Sequence, residues 1–406
     1  MLSVMCDSAV QVASALRHFP ARAVLLKHVA LLIETSRTYG RELVSGIRRC
    51  VSEKLNWSIS IELRDLESPP PAWLSNWRGD GVLTRTVSKL MARAVAKLGL
   101  PTVELRATKW DTAFPFVGIN NKTVGQLAAR HLMDRGLKSF AVYELDTETF
   151  FLERRNSFLS CLEEHGFPAE RYLQRGHREK PANWERQQRR LGEWLSTLPK
   201  PVGILACTDQ LGCWLLDACR HAGLRVPDDV AVIGVENDET LCTLSSPPLS
   251  SIRLGGERVG YAAAELLDHM MRRPRTRPRA LLLEPAGLVV RQSSDVVAVD
   301  DPAIARVIRM IRDGACAGIS VERILRDIPI SRSTLERRFR QVLGRTPNAE
   351  IVRVRLRRAR QLLRDTDLPL ETIADRSGLT RAAYLSHVFR NAFHETPGQY
   401  RSRHRI

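Results

Sequence analysis

A chain of 406 residues, 44% hydrophobic and 26% charged, has the length for two or three domains with real cores and the composition of an ordinary globular protein. Its formal net charge of +17 is uneven: residues 301–406 hold 22 Arg, no Lys and 11 Asp plus Glu, a surplus of +11 that leaves +6 for the first 300 residues. Eight scattered cysteines without a Cys-x-x-Cys pair argue for buried thiols in a reducing cytosol rather than disulfides or zinc. No apolar run reaches membrane-spanning length, so no membrane partner is expected.

Residues 1–23 lack a continuous apolar core and contain Arg17 and His18, so they read as an N-terminal extension, or as a stretch before the true start, and not as a signal peptide. From Val24 the pattern alternates between apolar strands and amphipathic helices. Strands are predicted at His28–Ile33, Ser58–Leu63, Gly81–Leu83, Thr102–Leu105, Phe116–Ile119, Ser139–Tyr143, Gly203–Cys207, Val230–Val235 and Leu281–Val290. Helices are predicted at Arg41–Lys54, Lys89–Lys97, Thr123–Arg135, Arg154–His165, Trp184–Leu198, Gln210–Ala222 and Gly256–Arg272. Repeated β–α–β over about 270 residues implies an α/β sensor of two lobes with parallel sheets, its ligand at the carboxyl ends of the strands. Arg272–Arg279 is basic and broken by proline, as an exposed loop would be. Residues 293–302 are short, polar and acidic, and read as a linker.

Beyond the linker a short unit occurs twice. Leu335, Phe339, Arg340, Thr346 and Pro347 recur as Leu385, Phe389, Arg390, Thr396 and Pro397, at an offset of 50. Each unit reads as a helix–turn–helix. Ser320 is placed to cap a helix burying Val321, Ile324 and Leu325, and Ser331 to cap the one carrying Leu335 and Phe339. In the second unit Pro369 opens a helix, Gly378 makes the turn and Thr380 is expected to cap the next helix. A connecting helix runs from Pro347 to Leu363. Arginine without lysine suits forked contacts to phosphate and guanine, so double-stranded DNA is the expected partner of this all-α double helix–turn–helix region. A bare helical domain with a solvated basic face is the bland alternative.

This region resembles the AraC-type DNA-binding domain through Leu335, Phe339, Gly344, Ala359, Leu362, Leu363, Ile373, Ala374, Gly378, Phe389, Thr396, Pro397 and Tyr400. One departure is Asp327-Ile-Pro329-Ile-Ser331, which puts Pro329 where the family has its turn glycine. Proline cannot take the positive φ open to glycine, so an altered first turn is expected. Residues 25–291 resemble the LacI-type and periplasmic-binding-protein sensor fold. The likeness rests on Val117-Gly-Ile-Asn-Asn121, Gly125, Arg154-x-x-Ser-Phe158, Ile204-x-Ala-Cys-Thr208-Asp209, Gly223-x-x-Val-Pro227, Val230-x-Val-Ile-Gly234 and Pro247-Pro-Leu-Ser250. The order, sensor first and AraC-type region last, is similar to that of the xylose-operon regulators of proteobacteria. Asn183-Trp184, Trp194-Leu195-x-Thr-Leu-Pro199 and Ile330-Ser-Arg-Ser333 support that closer likeness.

The resemblance implies boundaries at 1–23 (extension), 24–292 (ligand-binding domain), 293–302 (linker) and 303–406 (DNA-binding domain). It implies a ligand site at Arg154, at Asp209, and at Glu236 with Asn237, to which the first strand–helix loop adds Glu34, Ser36, Tyr39 and Arg41. Ser157 and Glu236-Asn237 replace the family's glycine and Asp-Asp, which leaves the sugar open. In the DNA region the implied contact residues are Ser331, Arg332, Ser333, Glu336 and Arg337, then Thr380, Arg381, Ala382, Tyr384 and His387. Arg337 is suited to guanine, and Glu336 either to cytosine or to an intrahelical pair with Arg332 or Arg340.

No Gly-x-Ser-x-Gly elbow, Walker loop, His-Glu-x-x-His or Cys-His ligand set is present, so no enzyme, metal or cofactor is expected. His28, His131 and His165 read as surface or helix-face residues. The expected protein is therefore a cytoplasmic, homodimeric, sugar-responsive activator that works with RNA polymerase, with D-xylose as the effector the resemblance implies. Two readings stay open: a regulator of the same architecture answering another small molecule, and a solute-binding or enzymatic α/β protein with a basic tail.

Overall fold

The structure is a computed structural model that describes residues 26–65, 68–106, 114–145, 149–174, 184–273, 280–296 and 301–404. The expected extension 1–23, residues 274–279 of the basic loop and residues 297–300 of the linker lie outside them. The chain divides into two compact units, Met1–Met133 with Lys138–Asp295, and Asp134–Leu137 with Val296–Ile406.

The first unit holds two lobes. In the first lobe β1 (Lys27–Leu32), β2 (Trp57–Ile61), β3 (Gly81–Thr84) and β4 (Thr102–Glu104) form a parallel sheet in the order β2-β1-β3-β4. A bridge from Glu104 to Phe116 leads on to β5 (Val117–Ile119), which pairs with β11 (Leu281–Leu283). The second lobe is a six-stranded sheet of β6 (Ser139–Leu145), β7 (Ala169–Gln174), β8 (Val202–Ala206), β9 (Val230–Glu236), β10 (Ser250–Arg253) and β12 (Gly287–Val289), in the order β12-β10-β9-β8-β6-β7. Only β12 runs antiparallel. Val29–Leu32 and Val230–Val235 are apolar without interruption and fully buried, as strands covered on both faces must be.

Around these sheets lie α1 (Thr38–Lys54), α2 (Lys89–Ala96), α3 (Asn121–Asp134), α4 (Thr149–Glu164), α5 (Trp184–Thr197), α6 (Asp209–His221), α7 (Glu239–Leu244) and α8 (Gly256–Arg272). Helices α1 and α8 pack backbone against backbone: a methyl group on Gly46 would meet the Glu257 carbonyl, and one on Gly260 the Leu43 carbonyl. The chain passes between lobes three times, after β5, after β10 and between β11 and β12. The last passage corrects the single strand expected at Leu281–Val290. Two short strands stand there in different sheets, and the Ala286 N–H between them bonds the Arg253 carbonyl. At the start of the expected linker, Gln292–Ser294 forms a 3-10 turn with Ser293 and Ser294 buried.

The second unit is helical: α9 (Pro302–Gly314), α10 (Val321–Asp327), α11 (Arg332–Leu343), α12 (Pro347–Asp365), α13 (Leu370–Arg376), α14 (Ala382–Phe393) and α15 (Pro397–His404). Asp301 caps α9 by accepting from the Ala303 and Ile304 amides. Two cores result, one around Ile308, Ile324, Leu335 and Phe339, the other around Ile373, Leu379, Leu385 and Phe389. Helix α12 serves both, giving Ile351 and Val354 to the first and Leu356, Ala359, Leu362 and Leu363 to the second.

The two turns differ. In the second, Gly378 takes φ 73°. In the first, the residue 50 positions earlier is Ile328 and not, as expected, Pro329; it is extended at φ −130° and ψ 122°. Proline drives the residue before it out of the helical region, so Pro329 ends α10 without a left-handed residue. Leu335 and Phe339 still reach the core behind this altered turn. Thr380 is not the cap of α14. It stands at φ 59° with its hydroxyl bonded to the Leu379 carbonyl, and Arg381 occupies the cap position without a side-chain bond. Glu371 instead accepts from the Ala382 amide at 3.0 Å. Ser320 and Ser331 cap α10 and α11 as expected.

Candidate functional site

Strand ends and the loops after them bring a polar set to the cleft between the lobes. From the first lobe come Tyr39, Arg85, Arg106 and Phe116, and from the second Asn121, Phe150, Arg154 and Glu236. Arg154 is 3% exposed and is fixed by its surroundings: Nε donates to Asn121 Oδ1 at 2.9 Å and Nη1 to the Cys207 carbonyl at 2.7 Å. The Phe150 ring lies 4.9 Å from its guanidinium carbon, an arrangement in which cation and ring attract. Burial lowers the Arg154 pKa, and the nearby Glu236 carboxylate opposes that shift. Burial also raises the Tyr39 phenol, with Arg154 pulling the other way. The free volume between these walls is small, about 40 Å³.

The ligand residues expected from sequence do not all meet. Tyr39, Arg154 and Glu236 line the cleft. Glu34 is buried and pairs with Arg85, which itself lines the cleft, so its carboxylate orients that arginine. Ser36 is exposed, and its amide bonds the Arg64 carbonyl. Arg41 is exposed and turned onto its own loop, at 2.9 Å from the Thr35 carbonyl and 2.9 Å from Thr38 Oγ1. Asn237 follows Glu236 in the left-handed region, and its amide bonds Ser251 Oγ at 2.9 Å.

Asp209 lies behind the cleft. Its two oxygens accept from Ser251 Oγ at 2.5 Å and from the Asp238 amide at 2.7 Å. It is fully buried, and burial pushes its carboxyl up to about 8. Arg85, Arg106, Asn121 and Phe150 went unnoticed as site residues. Asn121 ends the Val117-Gly-Ile-Asn-Asn121 motif, but the strand-end arginines carry no local signal.

In the helical unit, Ser331 accepts the Thr334 amide at the start of α11. Arg332, Ser333 and Arg337 are exposed beyond it. Glu336 pairs with Arg332 at 3.3 Å, and Arg332 also reaches Glu322 at 3.3 Å. On α14, Tyr384 and His387 are exposed, with His387 bonded to Asn391 at 3.1 Å, while Ala382 is half-buried. Arg381 precedes them, exposed. Among the described residues no cluster of three metal-ligating side chains occurs, and no helix is long and apolar enough to cross a membrane.

A cleft between two α/β lobes, joined to paired helix–turn–helix units with exposed arginines on the second helix of the first, defines a DNA-binding regulator governed by a small molecule. Residues 129–294 match the model of the periplasmic binding protein-like domain, and residues 324–403 that of a helix-turn-helix domain. The xylose operon regulatory protein of Escherichia coli K12 is 32% identical, over 92% of this chain and 96% of its own length. That of Haemophilus influenzae is 29% identical, over 92% and 97%. A solved xylose-binding transcription activator superposes with a TM-score of 0.74 at 30% identity, covering 94% of this chain and 99% of its own. A ribose-bound LacI-family regulator from Enterococcus faecium shares the fold alone, at TM-score 0.55 and 22% identity over 67% of this chain. The chain belongs to the xylose-operon-regulator family of AraC-type proteins, DNA-binding transcription regulators with a sugar-binding sensor, and not to an enzyme family.

Proposed function

We propose that the protein is a cytoplasmic activator of pentose-catabolic genes whose effector is D-xylose, bound between the lobes of a sensor at residues 24–292. Burial of Arg154 beside the Phe150 ring, with Glu236 opposite, carries the reading. A guanidinium fork and a carboxylate supply donors and acceptors for hydroxyls, while the aromatic face takes the ring's C–H side. Two of the three cleft arginines have a carboxylate beside them, Arg85 that of Glu34 and Arg154 the field of Glu236. Binding between the lobes ties effector occupancy to the arrangement of the lobes. The effector then shifts the balance of lobe arrangements by its difference in affinity for them.

In a homodimer this shift repositions two DNA-binding regions, residues 303–406, on neighbouring half-sites where they engage RNA polymerase. Ser331, Arg332, Ser333 and Arg337 at and beyond the cap of α11, and Thr380, Arg381, Tyr384 and His387 around α14, face the duplex in this proposal. Calorimetric titration with D-xylose, L-arabinose, D-ribose and D-glucose tests the effector. Saturable binding of D-xylose, lost in Arg154→Ala, is the expected result. Full binding by that variant refutes the site, and silence toward D-xylose refutes the effector.

A further inference from the structure

A side-chain hydrogen bond joins the lobes outside the cleft walls. Thr38, the first residue of α1, donates from Oγ1 to Asp238 Oδ2 at 2.5 Å, across 200 positions of sequence. Its direction is set by its neighbours. Arg41 Nη2 donates to the same hydroxyl oxygen, and Nη1 of that arginine is tied to the Thr35 carbonyl. A hydroxyl has one proton, so an oxygen already accepting from Arg41 turns that proton toward Asp238.

The acceptor is equally constrained. Asp238 Oδ1 takes the Leu241 amide at 3.1 Å as the cap of α7, and the Asp238 amide is held by Asp209, which Ser251 holds in turn. Helix α1 has no side-chain cap of its own and no acidic residue in its first turn. The carboxylate bonded to its first residue comes from the opposite lobe, and negative charge is favoured at that end of a helix.

We propose that the Thr38–Asp238 bond is a latch that sets the balance between open and closed sensor, and through it effector affinity, without touching the effector. Arg41 and Asp209 are positioning residues for this latch, one behind each partner. The affinity part rests on the cleft being the effector site; the closure part does not.

The full chain is compared with Thr38→Val, which keeps the shape and removes the bond, and Thr38→Ser, which keeps the hydroxyl. Hydrogen exchange without sugar is the first measurement. Amides of the lobe connections, at residues 119–121 and 284–288, exchange about tenfold faster in Thr38→Val and near the wild-type rate in Thr38→Ser. In D-xylose titration the Val variant binds about tenfold more weakly and the Ser variant near normally. Unchanged exchange at the connections overturns the latch, whatever the titration gives. An increase spread evenly over the whole first unit also overturns it, because it marks lost stability and not lobe opening. If wild-type protein ignores D-xylose, the effector assignment fails while the exchange comparison still decides the latch.

Discussion

Asp209→Asn should flatten the dependence of sensor stability on pH. Asp209 is fully buried, and its folded pKa of about 8 lies above the ~3.9 of an unfolded aspartate. Between those values the native state holds a proton that the unfolded chain has released. The associated stability is therefore fully present below about pH 4 and is lost as pH rises to about 8. Each pH unit inside the window removes up to about 1.4 kcal/mol, so the span from about pH 5 to 8 removes on the order of 4 kcal/mol. Asparagine cannot titrate, although it breaks one of the two bonds to Ser251 and the Asp238 amide and so lowers stability at every pH. The measurement is thermal unfolding of both proteins at half-unit steps across that range. Glu104, pushed up to about 7 by burial, adds a slope of the same sign to both and cancels in the difference. A gap between wild type and Asp209→Asn that stays constant with pH would refute the assignment.

Three other outcomes follow from packing and exposure. Gly260→Ala drives a methyl group into the Leu43 carbonyl and forces α1 and α8 apart, at a cost of about 2 kcal/mol readable as a lower melting temperature of the sensor. His394 ends α14 at φ 59°, where Gly344 ends α11 at φ 67°, so His394→Gly should stabilise the helical unit by about 0.5–1 kcal/mol in chemical denaturation. Arg337 is exposed on α11, and Arg337→Ala should weaken operator binding by about 1–3 kcal/mol and relax preference at one base pair, measured by gel shift against a set of single-base operator variants.

The sheets were legible because their strands are apolar without interruption, Val29–Leu32 and Val230–Val235 above all. What escaped reading was polar. Strand β7, Ala169–Gln174, pairs on one side only and carries the charged residues Glu170 and Arg171 side by side, which breaks any apolar run. Strand β10 opens with Ser250 and Ser251, which tolerate full burial because Arg291, Ser293 and Asp209 satisfy their hydrogen bonds. The cleft was half legible. Arg154 and Glu236 follow motifs, whereas Arg85 and Arg106 sit at strand ends that only the three-dimensional sheet brings together. Asp209 was placed by motif on the right loop, but its carboxylate is consumed by local hydrogen bonds that a sequence pattern does not reveal. Thr380 was read as a cap from its residue type, and the left-handed turn it occupies is visible only in the backbone.

Because α12 contributes to both helical cores, it acts as a ruler. Its 19 residues span about 28 Å, close to the ~34 Å between successive major grooves on one face of a duplex. Arg355 anchors its middle to the Ala315 and Ile319 carbonyls, so the ruler does not swivel freely against the first core. Inserting one residue in it would leave each unit able to fold but turn one about 100° against the other. Recognition surfaces on α11 and α14 are thus free to drift toward new base sequences, while the phase between them is a fixed inheritance of the scaffold.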